Sequence, residues 1–143
     1  MVVGRLHTDD LARLTEMLAD AGLPVSGVAE LADHFIAVKD GDELIGAGVI
    51  EPHGPDGLLR SLVVDPSHRG KGVGIVLVES LIKRSDTDLY LLTETAEHFF
   101  VRFGFELVSR EEAPPELRAS EEFRCLCPES ASFMRRTVHP RNS

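Results

Sequence analysis

The stretch Leu62-Val63-Val64-Asp65-Pro66-Ser67-His68-Arg69-Gly70-Lys71-Gly72-Val73-Gly74 constrains this chain more than any other. Its opening residues are apolar and partly β-branched, as in a buried strand. Asp65-Pro66 ends that strand, since proline cannot donate to a sheet ladder. Glycines at 70, 72 and 74 then lead into a run of helical length, Gly72 to about Arg84, with Val73, Val76, Leu77, Leu81 and Ile82 supplying most of one buried face. A strand that turns through glycines into a helix leaves the first-turn N–H groups without acceptors, and their summed dipole favours an anion. Arg69 and Lys71 add positive charge at the same place. A plain strand-to-helix turn with solvent-facing basic residues fits the same letters, because short glycine patterns are weak signals. No Gly-Lys-Ser/Thr triplet stands at Walker-loop spacing, and the upstream strand belongs to a hairpin rather than opening the chain as in a dinucleotide fingerprint.

The rest of the chain builds a domain around this loop. Its 143 residues, 43% apolar and 27% charged, fit one soluble domain, 1–143, with a core of its own. No apolar run nears the roughly 18 residues that suggest a membrane span. The opening residues do not form an export signal, so a cytoplasmic location is expected. A formal net charge of −9 repels nucleic-acid backbones and anionic membranes; an anionic ligand then needs a local device such as 69–74. Cys125 and Cys127 are the only cysteines, and a bond between them would close a very small, strained loop. Reduced, buried thiols are expected. A thiophilic metal or trivalent arsenic is the other reading, but two thiols without a ligand cluster do not make a structural zinc site, and no metal is expected.

Periodicity and turn chemistry give the element order. Val2–Leu6 reads as a short strand, and a helix starts near Thr8 or Asp9, both good N-caps, with Leu11, Leu14, Leu18 and Ala21 as its stripe and Gly22 and Pro24 as stops. Val25–Asp33 suggests a second, shorter helix. Phe35–Val38 and Leu44–Ile50 flank the turn Asp40-Gly41-Asp42, a good hairpin signal. Gly46 and Gly48 weaken the returning strand, yet they leave room for a ligand or another backbone. Pro52–Gly57 reads as a loop and Leu58–Val64 as a strand. Asp88–Thr93 is a further strand, Ala96–Phe103 a short helix ended by Gly104, and Phe105–Val108 a strand. The region from Arg110 to Pro128 is irregular, with one helical turn after Pro114-Pro115, and Ala131–Thr137 is a final strand. This order predicts an α/β (α+β) sandwich: a mixed, mostly antiparallel twisted sheet flanked by helices.

The pattern Leu62-x-Val64-x-Pro66-x-x-Arg69-Gly70-x-Gly72-x-Gly74 resembles motif A of the GNAT N-acetyltransferases, and Ala96-x-x-Phe99-Phe100-x-x-x-Gly104-Phe105 resembles their motif B. The resemblance implies acetyl-CoA as co-substrate. The amides of Arg69, Gly70, Lys71, Gly72, Val73 and Gly74 would hold its pyrophosphate, and the backbones of Leu62, Val63 and Val64 its pantetheine arm. Many members place an Asn before motif B and a Tyr within it, the Tyr protonating the departing thiolate. Here Phe100 stands at the Tyr position and Thr93, Glu94 and Thr95 near the Asn. A Thr hydroxyl, with Thr93 the candidate, or a water must then serve the thiolate. The base is sought among Glu51 and Glu94, with His98 one more candidate, acting through water on the substrate ammonium; for each the competing reading is a solvated surface group. A non-catalytic acyl-CoA sensing module is the rival that Phe100 favours.

The segment Leu91–Phe100, with Arg60-Ser61 upstream and the tail from Arg110 through Cys125-Leu126-Cys127-Pro128, resembles two groups of small acetyltransferases. These are the short N-acetylglutamate synthases and, more closely, the enzymes encoded with arsenic-resistance genes. Both imply a small amino-acid-like amine as acceptor, with Arg60 and Ser61 at its site. Such an acceptor carries carboxylates that need cations. Arg60 fits that need, Arg110 and Arg118 less well, and a pairing of Arg60 with a neighbouring acid is the competing reading. Relatives that dimerise sometimes do so through the last strand, so Ser132–Val138 is where a homodimer contact is sought.

Overall fold

The computed structural model describes residues 1–120 and 131–138, so the buried thiols expected at Cys125 and Cys127 lie outside the described residues. The strands are β1 (Val2–Arg5), β2 (Ile36–Asp40), β3 (Glu43–His53), β4 (Asp56–Val64), β5 (Leu89–Thr93), β6 (Glu106–Leu107) and β7 (Ser132–Arg136). The helices are α1 (Leu11–Asp20), α2 (Val73–Lys83), α3 (Glu97–Val101) and α4 (Pro115–Arg118). Pairing is antiparallel except where β4 meets β5, the mixed, mostly antiparallel sheet with helices that the element order predicts.

The chain packs as two compact units: Met1–Glu51 with Arg60–Ser85, and Pro52–Leu59 with the residues from Asp86 onward. In the first unit the strand order is β1-β2-β3-β4. Leu14, Met17 and Leu18 of α1 lie at helical spacing and pack with Val28, Phe35, Ala37, Leu44, Ala47, Val49 and Val63. Each of the larger side chains, all but the two alanines, contributes about 1.5–3 kcal/mol by leaving water. The turn before α1 is pinned electrostatically: the His7 N–H donates to the Asp10 carboxylate at 3.1 Å, and Lys39 Nζ lies 2.8 Å from the same group. Within the segment expected as a second helix, Ala29–His34 is a 3-10 helix. Gly41, with φ 64, makes the β2–β3 turn.

Two glycines let neighbours come close, the β4 backbone among them: the Val63 carbonyl and Leu62 Cα would lie 3.3 and 3.7 Å from a Cβ on Gly46 and Gly48. A Cβ on Gly46 would lie 2.8 Å from Val73 Cγ1 and 3.0 Å from Leu77 Cδ1, and one on Gly48 would lie 2.8 Å from Leu62 Cδ1 and 3.2 Å from Leu81 Cδ1. The apolar face of α2 comes close as well, with Val73, Leu77 and Leu81 buried on it. Direct seating of α2 on β3 sets the height of the helix N-terminus. Of the face predicted for α2, Val76 and Ile82 are only half-buried, and Val78 is buried in addition.

In the second unit the order is β4-β5-β7-β6. Tyr90 of β5 stacks on Phe133 of β7, centroids 5.5 Å apart, among Leu58, Ala113 and Leu117. The predicted loop Pro52–Gly57 is mostly strand, because β3 runs to His53 and β4 begins at Asp56. Gly54, with φ 63, followed by proline forms a turn compatible with strand twist, and it needs no more residues. The last strand, β7, has β5 on one side and, at Met134 and Arg135, the two residues of β6 on the other.

Candidate functional site

Strand β4 delivers the chain to the loop with one irregularity. Ser61 takes φ 56, left-handed and rare for a residue with a side chain. The described pairing of β4 with β5 stops before it, at Gly57↔Leu89 and Leu58↔Tyr90. Beyond Ser61 the ladder runs to β3, where the Asp65 N–H donates to the Ile45 carbonyl at 2.8 Å. Val63 is buried in the core, and Leu62 and Val64 are half-buried.

After β4 the chain makes a 3-10 turn, Pro66–His68, held by the His68 N–H on the Asp65 carbonyl at 2.8 Å. Arg69 is extended, and Gly70 and Gly72 follow at φ 79 and 82. Alternation into the left-handed region lets successive N–H groups converge on one side, the concavity that suits a phosphate. A Cβ on either glycine would meet nothing within 4 Å, so what glycine supplies here is the backbone angle. The first helical bond closes the Val76 N–H on the Gly72 carbonyl at 3.1 Å, which leaves Val73, Gly74 and Ile75 N–H without intrahelical acceptors. Arg69 and Lys71 are exposed beside them. The Arg69 N–H donates to the Pro66 carbonyl at 3.4 Å, so the backbone after it offers the donors, beside two cations and with open space at Gly70 and Gly72, the fit that a diphosphate requires.

The acceptor and base candidates of this unit come together. Arg60 is buried; its Nη2 donates to the Ser26 carbonyl at 2.7 Å, its Nε to Ser61 Oγ at 3.2 Å, and Nη1 lies 3.6 Å from Glu51 Oε1. Arg60, Ser61 and Glu51 therefore form one cluster on β3 and β4, and the pairing with an acid exists. Ser26, a member of it, carries no signal in the sequence. Asp65 is a second such residue. Its carboxylate accepts from Ser67 Oγ, from His68 Nδ1 at 3.0 Å and from Arg13 Nη2 at 3.3 Å. Those hydrogen bonds, Ser67 first and His68 next, with Arg13 adding its charge, hold the carboxyl below the usual carboxylate range.

The remaining candidates sit in the second unit. Thr93 ends β5, and its Oγ1 accepts the Ala96 N–H at 3.0 Å, fixing the entry to α3. Glu94 is exposed on the bend that follows, and His98 is exposed on α3. Phe100 is buried, edge-on to Phe99 and Phe105 with centroids 5.2 and 5.8 Å away. Arg110 donates to the Ala131 carbonyl at 2.9 Å, and Arg118 to the Glu111 carbonyl, so both have backbone partners. Among the described residues no cluster of His, Cys, Asp and Glu is arranged to hold a metal, and no helix is long and apolar enough to cross a membrane.

Residues 31–107, more than half of the chain, match the model of the acetyltransferase (GNAT) domain. No curated protein sequence matches significantly. The fold is similar to that of Mycobacterium tuberculosis Rv2747 in complex with CoA and NLQ, with TM-score 0.82 and 20% identity over 97% of this chain and 100% of that one. Neisseria gonorrhoeae N-acetylglutamate synthase, complexed with coenzyme A and N-acetyl-glutamate, gives TM-score 0.82 at 17% identity, over 96% of this chain but only 35% of its own length. An aminoglycoside 6′-N-acetyltransferase complexed with coenzyme A gives 0.71 at 19% identity over the whole of both chains.

Proposed function

The chain belongs to the GNAT family of acetyl-CoA-dependent N-acetyltransferases, and from that premise we propose that it acetylates the amine of a small amino-acid-like acceptor by direct attack in a ternary complex. The observation that carries the reading is the loop 69–75, where left-handed glycines, unpaired helix-start amides and two cations converge at the end of β4. In this reading the amides of Arg69 through Gly74 hold the pyrophosphate, and the Leu62, Val63 and Val64 backbones, beyond the irregular Ser61, run along the pantetheine. The family match draws on both compact units, which supports one catalytic domain over 1–143.

The acceptor class rests on Arg60 and Glu51, opposite charges 3.6 Å apart. A zwitterionic amino acid brings the complementary pair, its carboxylate to Arg60 beside Ser61 and its ammonium to Glu51. Glu51 then takes a proton from the ammonium through water, with Glu94 the alternative base. The freed nitrogen bonds to the thioester carbonyl carbon, the carbon–sulfur bond breaks with its electron pair leaving on sulfur, and the nitrogen's surplus proton passes to that thiolate, giving the amide and the free thiol. Thr93, whose oxygen accepts from Ala96, is the proposed hydrogen-bond donor to that sulfur. Phe100 cannot donate. A coenzyme A thiol is a tolerable leaving group, so turnover survives without the usual tyrosine.

Rv2747 and N-acetylglutamate synthase, with the ligands named for their complexes, support an amino-acid-like acceptor. Enzymes encoded with arsenic-resistance genes fit the same chemistry, and a cytoplasmic location supplies acetyl-CoA. The test is release of free coenzyme A from acetyl-CoA, screened over glutamate, other amino acids, their arsenic- and phosphorus-containing analogues, and polyamines. The expected result is release with an amino-acid-like amine, lost in Arg60→Ala while coenzyme A still binds. Turnover with polyamines alone would overturn the acceptor class. Tight binding with no turnover on any amine would favour a sensing module.

A further inference from the structure

The turn that leads into the cofactor loop is clamped by one side chain, and the acetyl-CoA reading gives that clamp a task. Asp65 lies between β4 and the 3-10 turn Pro66–His68, with a side chain 15% exposed. One carboxylate oxygen accepts from Arg13 Nη2 of α1, 52 residues away in the chain. The other accepts from Ser67 Oγ and His68 Nδ1. His68 Nε2 lies 3.9 Å from Asp40 Oδ2, at the β2–β3 turn, and Asp65's own N–H is fixed on Ile45 of β3. The entry to the loop is therefore tied to α1, to β3 and to the β2–β3 turn, whereas Arg69 and Gly70 just beyond it are exposed and extended or left-handed.

Ser67, His68 and Asp65 carry the side chains of a hydrolase triad without its geometry. Ser67 and Asp65 both meet Nδ1 of His68, at 3.1 and 3.0 Å, while a proton relay needs them on opposite ring nitrogens. The cluster gathers bonds on Asp65 and offers no nucleophile.

We propose that Asp65 is a positioning residue for the cofactor loop, one that sets the aim of the amides from Arg69 to Gly74 and thereby the affinity for the diphosphate of acetyl-CoA. It touches neither reacting atoms nor acceptor. The proposal rests on the acetyl-CoA reading. Pre-organised donors bind an anion without first having to be ordered, and hydrogen bonds to a charged carboxylate are the stronger kind. Asn at this position keeps the size and one acceptor oxygen but replaces the other with a donor, so the bond from Arg13 on one side and those from Ser67 and His68 on the other cannot all survive.

The test compares the unsubstituted protein, Asp65→Asn, Arg13→Ala and the double variant, using calorimetric titration with coenzyme A and steady-state kinetics in acetyl-CoA. Asp65→Asn should raise Kd and the acetyl-CoA KM about tenfold, with kcat kept within about twofold, because the defect is in binding. Arg13→Ala should raise both about threefold. The double variant should fall short of the product of the two effects, since they share one network. An unchanged Kd in folded Asp65→Asn overturns the proposal, as does a fall in kcat with Kd and KM unmoved. Should circular dichroism show Asp65→Asn unfolded, Arg13→Ala decides alone, and an unchanged Kd there is equally fatal. Failure of the unsubstituted protein to bind coenzyme A sinks the acetyl-CoA reading itself, an outcome distinct from equal binding by all four proteins.

Discussion

Strand β4 has an aspartate at each end, and the two are treated in opposite ways. Asp65, after its last residue, is surrounded by donors from Ser67, His68 and Arg13, which hold its carboxyl below the usual range. Asp56, its first residue, is pushed up, by burial first and then by the charges of Asp88 and Glu116. The same contrast runs through the compact units that hold them. In the first, Asp10 meets Lys39, Glu51 meets Arg60, and Asp65 meets Arg13. In the second, Glu112 meets Arg135, but Asp56 lies near the charges of Asp88 and Glu116. In a chain with a net charge of −9, the acid that stands at the entry to the cofactor loop is neutralised by its own partners.

Glycines sharpen this contrast first, and the largest effect is expected there. Gly46→Val should destabilise the fold by about 3 kcal/mol through overpacking, because its neighbours are Val73, Leu77 and the Val63 carbonyl. Coenzyme A binding should weaken with it, since α2 is lifted from β3. Gly54→Ala meets only the flexible end of Glu116, at a positive φ, and should cost about 1 kcal/mol with coenzyme A affinity unchanged. Urea unfolding alongside calorimetry reads both; equal losses of affinity would erase the distinction between the two units. Next in size, Gly72→Ala places a side chain in open space at φ 82, so only backbone strain opposes it, about 1–2 kcal/mol. If the left-handed angle aims the amides, affinity should fall about tenfold, and an unchanged titration would show that the angle is immaterial.

The paired aspartates make smaller, pH-dependent predictions of opposite sign. Asp65 has a lowered folded pKa, so its contribution is fully present above the unfolded value near 4 and is lost as pH falls through the folded one. Thermal midpoints of the unsubstituted protein should therefore drop more steeply below about pH 4 than those of Asp65→Asn. Asp56 has a raised folded pKa, so the fold loses stability as pH rises from about 4 through that value. Asp56→Asn should stabilise the protein at pH 7 by about 0.5 kcal/mol, visible as a midpoint shift of roughly 2 °C that vanishes in acid. A destabilised Asp56→Asn at neutral pH would mean that the acids of this unit have partners of greater weight than their repulsion.

What the sequence revealed divides along similar physical lines. Local signals were readable: Asp-Gly at the β2–β3 turn, the proline and glycines around 65–74, and the apolar face of α2 all depend on near neighbours. Features set by distant partners were not. Arg13 and Asp65 meet across 52 residues, and no local pattern marks Asp65 as more than the end of a strand. Gly46 and Gly48 read as openings for a ligand or a backbone; the β4 backbone does come close, but the side chains of α2 that fill the space leave no local mark. The place of the last strand between β5 and β6 is likewise non-local, and no neighbouring residue signals it. Arg60 and Glu51 were separate candidates, and only the hairpin of β3 and β4 joins them.

The central claim is that the amides from Arg69 to Gly74 hold the diphosphate of acetyl-CoA, and amide correlation spectra recorded during titration with coenzyme A test it most directly. The account predicts that Gly70, Gly72, Val73 and Gly74 show the largest shift changes, saturating together with the calorimetric titration, while Gly54 and Gly104 barely move. Saturable binding with those loop amides unmoved, and the largest changes elsewhere, would contradict it.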